Sequence, residues 1–374
     1  MRKSRFVIVA CAGLALTLAC TTKPPPPPPG PPAFDCKADP FGEAFGPTII
    51  RTLAQPDWNG RKYGSEGLKR ATEWVANQFE CIGLVPGAPA LPGLAASAYR
   101  IPFETDGDKL EDPSTVLGYA YDPAARYTFT NVVGSLAGSG ALANEVIVVG
   151  AHLDHLGASG EFDGQVVLGA DDDASGVAAV LAIARDLANQ PATGDRRTIV
   201  FAAWGVEEDP FYKRGSEAFL GALQPDALAR VMYYVNFDMV GGYAYRGAVE
   251  ALGAYSAGDG HAASAAYTLL DGIVGGYADL HVSRTDPAGN NSDHHSFCRR
   301  GIPYVFFWTD DDCYHKPCDV PARIDTVHLR RILQLGADLT RALASEPSLA
   351  PTRKDFVAAH VARFGVDCSV AASD

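Results

Sequence analysis

The sequence predicts an α/β fold, in which a single globular domain has a mixed, mostly parallel central sheet with helices on both faces. Apolar runs at 145–150, 197–204 and 231–237 are typical of strands buried on both faces of a parallel sheet. A helical pattern lies between the first two of these runs and another follows the third, which favours an alternating arrangement of strands and helices. Most of the acidic and histidine-containing motifs follow a predicted strand, where open α/β sheets form their binding sites.

The remaining elements follow from hydrophobic periodicity. The segment 71–79 predicts an amphipathic helix because Ala71, Trp74, Val75 and Phe79 fall on one stripe. The other predicted helices lie at 173–189, 262–274 and 326–344, and the other predicted strands at 99–103, 127–133 and 303–308.

The amino terminus predicts an export signal at residues 1–20. Arg2, Lys3 and Arg5 precede an apolar segment, 6–19, that is too short for a comfortable transmembrane helix. The ending at Cys20 resembles a bacterial lipoprotein signal, in which this cysteine would be lipidated and anchored in a membrane. The alternative is an ordinary cleaved signal peptide. Either interpretation predicts an exported protein, in the bacterial cell envelope or secreted.

A proline-rich linker at 21–35 separates this signal from the rest of the chain. Its run of prolines favours a stiff polyproline II spacer on the order of 30 Å long, at about 3.1 Å per residue. The globular domain is predicted at 36–346, followed by a carboxyl-terminal tail at 347–374. A net charge of −13 without a long basic run excludes nucleic acid as an expected partner.

Six cysteines remain beyond Cys11 and Cys20, and an even number in an exported chain permits disulfides. Cys313 and Cys318 bracket His315, so a bridge between them would stiffen the loop that carries this histidine. The alternative is a pair of metal-binding thiols. The sequence leaves open the pairing of the other four cysteines, which are Cys36, Cys81, Cys298 and Cys368.

Five short segments place metal-ligand residue types after predicted strands or in loops. His152 follows the run 145–150, and Asp154 could hold the imidazole by accepting a hydrogen bond from its other ring nitrogen. Asp171, Asp172 and Asp173 open a helix, where one aspartate would suffice as a cap. Three carboxylates there would repel one another unless a dication neutralised them. The residue types alone do not choose among the three.

Glu207 and Glu208 follow the next predicted strand, and the two are expected to have different roles. One would bind metal and the other would take a proton from metal-activated water. Asp238 ends a further strand, although it could simply cap a turn. His315 lies in a loop, where histidines are commonly solvent-exposed, and Tyr314 before it could donate a hydrogen bond to an oxyanion.

Two further clusters are interpreted as supporting groups. His155 is predicted to be a local hydrogen-bonding residue. The acidic and imidazole cluster Asp293-His294-His295 is interpreted as structural or as support for the ligands, and the alternative is direct ligation of a metal.

The ordered set of motifs resembles the co-catalytic di-zinc aminopeptidase family of the bacterial leucine-aminopeptidase type, which also includes glutaminyl cyclases and glutamate carboxypeptidases. The resemblance covers residues 45–345. It is carried by Ala151-His152-Leu153-Asp154, Gly169-Ala170-Asp171-Asp172-Asp173-Ala174-Ser175-Gly176, Glu207-Glu208 with Gly215-Ser216, Phe237-Asp238-Met239, Ser292-Asp293-His294 with Gly301-Ile302-Pro303, and Tyr314-His315 with Asp319.

The resemblance implies a zinc peptidase domain that holds two Zn²⁺. His152 and Asp238 would bind one zinc, Glu208 and His315 the other, and Asp172 would bridge both. Three further roles are implied: Glu207 as general base, Asp154 as the residue that orients His152, and Tyr314 as a neighbour of the developing oxyanion.

The implied reaction is hydrolysis of the N-terminal residue from peptides with a free N-terminus, by a metal-bridging water that Glu207 deprotonates. Two alternatives share the fold: a glutaminyl cyclase-like enzyme with a single zinc, and a non-catalytic binding lipoprotein. The chain departs from the family pattern after Glu208, where Asp209-Pro210-Phe211-Tyr212-Lys213-Arg214 intervenes before Gly215. Lys213 or Arg214 is therefore a hypothetical recruiter of an acidic substrate end.

Overall fold

The computed structural model describes residues 33–94, 97–107, 122, 124–158, 162–190, 192–208, 213–258, 262–285, 289–349 and 356. The predicted signal peptide with Cys20, most of the linker, residues 209–212 and most of the tail, including Cys368, lie outside the described residues. Within the described part, no helix has both the length and the apolar character needed to cross a bilayer.

The strands are β1 (Val85–Pro86), β2 (Arg100–Asp106), β3 (Arg126–Leu136), β4 (Val146–His152), β5 (Gly157–Ala158), β6 (Val166–Val167), β7 (Thr198–Trp204), β8 (Val231–Phe237), β9 (Val249–Leu252), β10 (Val282–Thr285) and β11 (Tyr304–Trp308). The helices are α1 (Phe45–Leu53), α2 (Glu66–Ile82), α3 (Ala174–Ala188), α4 (Arg214–Gly221), α5 (Pro225–Arg230), α6 (Tyr243–Arg246), α7 (Ala265–Ile273), α8 (His294–Cys298) and α9 (Thr326–Ser345).

The large sheet has the strand order β1-β3-β7-β4-β8-β11-β9-β10, with β2 paired to β3. The four central strands, β7, β4, β8 and β11, are mutually parallel, whereas β3 joins one side and β9 the other in antiparallel orientation. Small strands β5 and β6 form a separate hairpin-like pair. The predicted mixed sheet is therefore confirmed, with its parallel part in the interior.

Alternate residues of the central strands enter two different cores, which explains why these strands are apolar throughout. In β4, Ile147 and Val149 face a core formed with α1, α2, α3 and α9. Val146 and Val148 face a second core formed with α4, α5 and α8. Since side chains alternate along a strand, a strand covered on both faces needs apolar residues at every position.

Capping residues set the helix boundaries that periodicity left imprecise. Helix α2 begins at Glu66, five residues before the predicted start, because the Ser65 hydroxyl accepts a hydrogen bond from the Leu68 amide at 3.2 Å. It ends at Ile82, where Gly83 adopts the left-handed conformation with φ of 93°.

Several elements were not predicted because local sequence pattern does not encode them. Helices α1 and α4 have nine and eight residues, and strands β9 and β10 have four each. The two short strands gain their backbone partners from β11 and from each other. Tertiary pairing, not intrinsic propensity, therefore defines them.

Of the two disulfides described in full, one joins remote segments and the other closes a loop. Cys36 pairs with Cys81 and so joins the start of the described domain to α2, while Cys313 pairs with Cys318 in the His315 loop. Cys298 is also disulfide-bonded. From the tail, Phe356 is described, and its buried ring meets Tyr304 of β11 edge to face at 6.0 Å.

Helix α9 packs so closely on the end of β8 that Gly336 has no room for a side chain. A Cβ atom at Gly336 would lie 2.5 Å from Cζ of Phe237 and 3.2 Å from Cδ1 of Ile183. We expect Gly336→Ala to lower the free energy of unfolding by about 1–3 kcal/mol because the core must shift. Urea titration with the disulfides intact measures this change.

Gly272 of α7 is the matched control, because a Cβ there would meet no atom within 4 Å. Gly272→Ala is expected to be neutral or stabilising by up to about 1 kcal/mol, since alanine is the better helix former. Equal stability of the two variants would contradict the close packing of α9 on β8.

Candidate active site

The parallel strands bring the predicted site residues together at one edge of the sheet. His152 is the last residue of β4 and pairs in register with Trp204, the last residue of β7. Glu207 and Glu208 follow β7 after Gly205 and Val206, and Asp238 directly follows β8. The carboxyl ends of three neighbouring strands therefore supply four of the predicted residues.

Asp172 lies between the two predicted histidine ligands and faces each with a different oxygen. Its Oδ1 is 3.0 Å from Nε2 of His152, and its Oδ2 is 3.3 Å from Nε2 of His315. Nε2 of His152 is also 3.5 Å from Oδ1 of Asp238, and Nε2 of His315 is 3.3 Å from Oε2 of Glu208. The five residues thus form two imidazole–carboxylate groups that share Asp172.

The donor set fits zinc in type and in spacing. Zinc takes imidazole nitrogen and carboxylate oxygen at about 2.0–2.2 Å, so two donors on a tetrahedral ion lie about 3.3 Å apart. The separations between donor atoms around Asp172 are 3.0–3.5 Å. His152, Asp172 and Glu208 also offer ligand atoms within 4.8 Å of one another, as do His152, Asp173 and Asp238.

The carboxylates of the other two aspartates in the triplet accept hydrogen bonds from backbone amides. Asp173 caps α3 through the Gly176 amide at 2.8 Å and also accepts the His152 amide at 3.1 Å. Asp171 accepts the Gly241 amide at 2.6 Å and the Ser175 hydroxyl at 3.0 Å. The structure therefore distinguishes three aspartates that the sequence alone did not, because Asp172 is the one that faces imidazoles.

Burial and neighbouring charges set the proton affinities of this cluster. Burial raises the pKa of Asp172, but the surrounding imidazoles, His155 foremost, outweigh burial and hold the pKa well below its ordinary value. Burial lowers the pKa of His315, but the carboxylates of Asp172 and Glu208 raise it to about 10. Binding of a metal at His315 would therefore displace a proton from its imidazole, because a histidine that ligates a metal must be neutral.

Asp154 holds His152 in a different way from the one that the sequence predicted. The acceptor for Nδ1 of His152 is the backbone carbonyl of Asp154, at 3.0 Å, and not its carboxylate. The carboxylate instead accepts the amides of Glu207 at 2.9 Å and Glu208 at 3.2 Å. Asp154 follows β4, and its carboxylate binds two backbone amides that follow β7 and have no partner in the sheet. It therefore links the ends of the two strands.

The two adjacent glutamates lie in different surroundings. Glu208 faces His155 at 2.7 Å and His315 at 3.3 Å, and these imidazoles outweigh the effect of burial and lower its pKa. Glu207 contacts no imidazole at ion-pair distance among the described residues, and its nearest cation is the Lys213 ammonium. Burial raises the pKa of Glu207 to about 8.

His155 has a larger part in the cluster than the sequence suggested. Its ring is fully buried, with Nδ1 2.7 Å from Glu208 and 3.7 Å from Asp172. No sequence signal separated it from a surface histidine, because its acidic partners are 17 and 53 residues away.

The His315 loop is held from several sides. The Cys313–Cys318 disulfide brackets His315, whose own φ is 55°, in the left-handed region. Tyr314 stacks on the His315 ring with centroids 3.8 Å apart, and its side chain is about half exposed at 49%. Asp319 accepts the amides of Asp171 at 2.7 Å and Asp172 at 3.2 Å, which links this loop to the aspartate triplet.

Asp293 and His294 lie behind the predicted ligands. The buried Asp293 carboxylate accepts the Ser216 hydroxyl at 2.5 Å, and burial raises its pKa to about 7. His294 contacts the Gly289 carbonyl at 2.9 Å and stacks on Phe306 with centroids 4.8 Å apart. Neither residue is within ion-pair distance of the five predicted ligands among the described residues.

A cavity of about 890 Å³ opens over the cluster. Met239, Phe306 and Trp308 give it an apolar wall. Its polar lining consists of His152, Asp172, Glu207, Glu208, Lys213, Asp238, Asn290, Asn291, Asp310, Asp311, Asp312, Tyr314, His315 and Lys316. Of the two basic residues in the unusual loop, Lys213 lines the cavity, whereas Arg214 begins α4 and is buried.

Comparison with known proteins relates this chain to a peptidase family. Residues 131–340 match peptidase family M28. A segment of 102 residues is 40% identical to "Probable lipoprotein aminopeptidase LpqL" of Mycobacterium tuberculosis and covers 27% of this chain and 18% of that protein. A segment of 210 residues is 29% identical to "Aminopeptidase" of Pseudomonas aeruginosa (strain UCBPP-PA14), over 49% of this chain and 35% of that protein. The chain thus spans well under half the length of these relatives.

Among solved structures, the zinc aminopeptidase BSAP from Bacillus subtilis superposes with a TM-score of 0.61 at 15% identity and covers 85% of this chain and 98% of that one. At this identity the likeness shows the fold. Because the family match spans more than half of the sequence, the chain belongs to peptidase family M28.

Proposed function

We propose that the chain is an exported zinc-dependent aminopeptidase that hydrolyses N-terminal residues from peptides. The observation that supports this most directly is the shared position of Asp172, which faces His152 with one oxygen and His315 with the other. Membership of a peptidase family makes peptides the expected substrates. The proposed ligands of two zinc ions are His152, Asp172, Glu208, Asp238 and His315.

The metals, when bound, would polarise the scissile carbonyl and lower the pKa of water. Glu207 is the proposed general base. Its carboxylate lines the cavity beside the ligands, and its proton affinity is raised by burial. A carboxylate whose proton affinity is raised accepts a proton more readily than an ordinary glutamate does, as a general base must. Tyr314, at the same cavity, is the proposed donor to the developing oxyanion.

The charge of the cavity supports a substrate with a free N-terminus. Seven carboxylates and two lysines are among the lining residues, and arginines pair with three of the carboxylates, Asp310, Asp311 and Asp312. A substrate ammonium would therefore be attracted more strongly than a blocked N-terminus. Lipid anchoring at Cys20 in the cell envelope remains part of the proposal, supported by the lipoprotein name of the mycobacterial relative.

The first prediction concerns substrate and metal. The purified chain is expected to release the N-terminal residue from unblocked peptides, to lose this activity with a chelator, and to regain it with zinc at two ions per chain. N-acetylated versions of the same peptides are the control and should remain intact. Cleavage of blocked peptides at internal bonds would exclude an aminopeptidase. One zinc per chain with cyclisation of N-terminal glutamine would favour a cyclase.

The second prediction separates the two adjacent glutamates. Glu207→Gln should lower kcat by about 10²–10⁴-fold while zinc content stays at the wild-type level, because a general base is lost and no ligand is removed. Glu208→Gln should lower zinc content itself. Mass spectrometry of the metal content and steady-state kinetics measure the two effects.

Glu217→Gln in α4 is the control, since this side chain pairs with Arg299 and Arg300 away from the cavity. It should leave both zinc content and kcat unchanged. Near-wild-type turnover of Glu207→Gln would rule out Glu207 as the base.

A further inference from the structure

Lys213 places an ammonium group inside the cavity, directly against the proposed general base. Its Nζ pairs with Oε1 of Glu207, and its side chain is only 16% exposed. The other lysine of the cavity, Lys316, is exposed and donates to the Asp312 carbonyl at 2.7 Å. Among the described residues that line this cavity, Lys213 is therefore the less exposed of the two lysines.

The backbone around Lys213 is fixed, so the ammonium is held in the cavity. The Arg214 amide donates to the Val206 carbonyl at 2.9 Å, and Asn131 donates to the Gly215 carbonyl at 2.8 Å. A Cβ at Gly215 would lie 2.4 Å from the Gly205 carbonyl oxygen, which shows how closely this segment follows the end of β7. Two anchored residues directly after Lys213 restrict where its side chain can reach.

The charges of the site give this ammonium a further use. The three carboxylate ligands would be neutralised by metal, and Glu207 by Lys213. Seven carboxylates line the cavity, namely Asp172, Glu207, Glu208, Asp238, Asp310, Asp311 and Asp312. Four of the seven are neutralised in this way, and the other three pair with arginines, Asp310 with Arg246 and both Asp311 and Asp312 with Arg323. A substrate carboxylate that enters the cavity would therefore meet an attracting cation at Lys213. A charge-assisted hydrogen bond to a buried ammonium is stronger than one to its neutral isostere.

We propose that Lys213 is a carboxylate-recognition residue that selects substrates with a carboxylate next to the scissile bond. The proposal rests on the proposed aminopeptidase function and adds a substrate class to it. Two sources supply this chemistry: an acidic side chain on the N-terminal residue, and the free α-carboxylate of a dipeptide.

The test compares matched substrates on the full chain loaded with zinc. Glutamyl- and glutaminyl-p-nitroanilide differ in the side-chain carboxylate, and Leu-Ala and Leu-Ala-amide differ in the terminal one. Wild-type kcat/KM should favour the acidic member of one pair. Lys213→Met should reduce that preference by about tenfold or more, and Lys213→Arg should retain it. Lys316→Met, which removes the exposed lysine, should also retain it.

Ratios within one variant separate recognition from a general loss of activity. If Lys213→Met slows all four substrates equally, Lys213 serves Glu207 alone and the proposal is overturned. If the wild type shows no acidic preference in either pair, the proposal is overturned as well. The aminopeptidase function would survive both results, and it fails only if unblocked peptides are not cleaved at all.

A second inference comes from an independent feature, the buried guanidinium of Arg61. This side chain has no exposure, and it donates to the carbonyls of Leu153 at 2.8 Å, Leu53 and Leu168 at 2.9 Å, and Gly169 at 2.8 Å. Leu153 adjoins His152, whereas Leu168 and Gly169 lead into the aspartate triplet. One side chain therefore joins the two segments that carry proposed ligands.

Asp319 also holds the second segment, because its carboxylate accepts hydrogen bonds from the backbone amides of Asp171 and Asp172. We infer that Arg61 and Asp319 are positioning residues, which set the separation of His152 and Asp172 and hence the affinity for zinc. Lysine cannot replace Arg61 in this role because it lacks the planar fork that serves several acceptors at once.

Arg197 is the matched control for Arg61. It is also buried, binding the Glu145 carboxylate and the carbonyls of Leu343 and Glu346, but it lies at the opposite end of the strands from the site. Both Arg61→Lys and Arg197→Lys should lower the urea midpoint. Only Arg61→Lys should weaken zinc binding, by about tenfold or more in competition with a chromophoric chelator.

Asp319→Asn is the second variant and should weaken zinc binding without the loss of a buried cation. Unchanged zinc affinity in Asp319→Asn would overturn the inference even if Arg61→Lys failed to fold. Equal zinc affinity of Arg61→Lys and Arg197→Lys would also overturn it. If the wild type bound no zinc, the proposed metal centre itself would fail.

Discussion

Buried negative charge at the carboxyl edge of the sheet is the constraint on which the rest of the site depends. Asp171, Asp172 and Asp173 are buried together, with Glu207 and Asp238 close by. Burial penalises each ionised carboxylate, and their mutual repulsion adds to the penalty. Each therefore needs a compensating partner. Imidazoles provide this for Asp172, and the Lys213 ammonium pairs with Glu207. Asp171 and Asp173 accept hydrogen bonds from backbone amides, but burial still raises the pKa of each carboxyl well above its ordinary value.

The fold supplies these partners through its topology. Parallel strands β4, β7 and β8 end side by side, so each chain turn exposes amides that the strand ladder no longer uses. Asp154 takes two such amides after β7, and Asp173 takes those at the start of α3 and the end of β4. The same interactions that stabilise the turns therefore fix the positions of the proposed ligands.

The sequence predicted the parts that local pattern encodes. Strand β4 was recognisable because both of its faces are apolar, and α3 because its apolar stripe follows an aspartate cap. The family resemblance selected Asp172, which the residues alone could not, since its distinction lies in contacts with His152 and His315 from remote segments. Arg61 was not predicted for a similar reason. Its four acceptors are carbonyls, and every residue type carries one.

The contrast between Glu207 and Glu208 shows how little residue type alone determines. The two share a backbone segment, and the same Asp154 carboxylate binds both amides. Glu208 turns toward His155 and His315, which stabilise its charge, whereas Glu207 turns toward Lys213 in a less compensated position. Burial therefore raises the proton affinity of Glu207 while imidazoles lower that of Glu208. A carboxylate that holds its charge suits a metal, and one that accepts a proton suits a base, so the roles proposed for Glu208 and Glu207 follow from the difference between their partners.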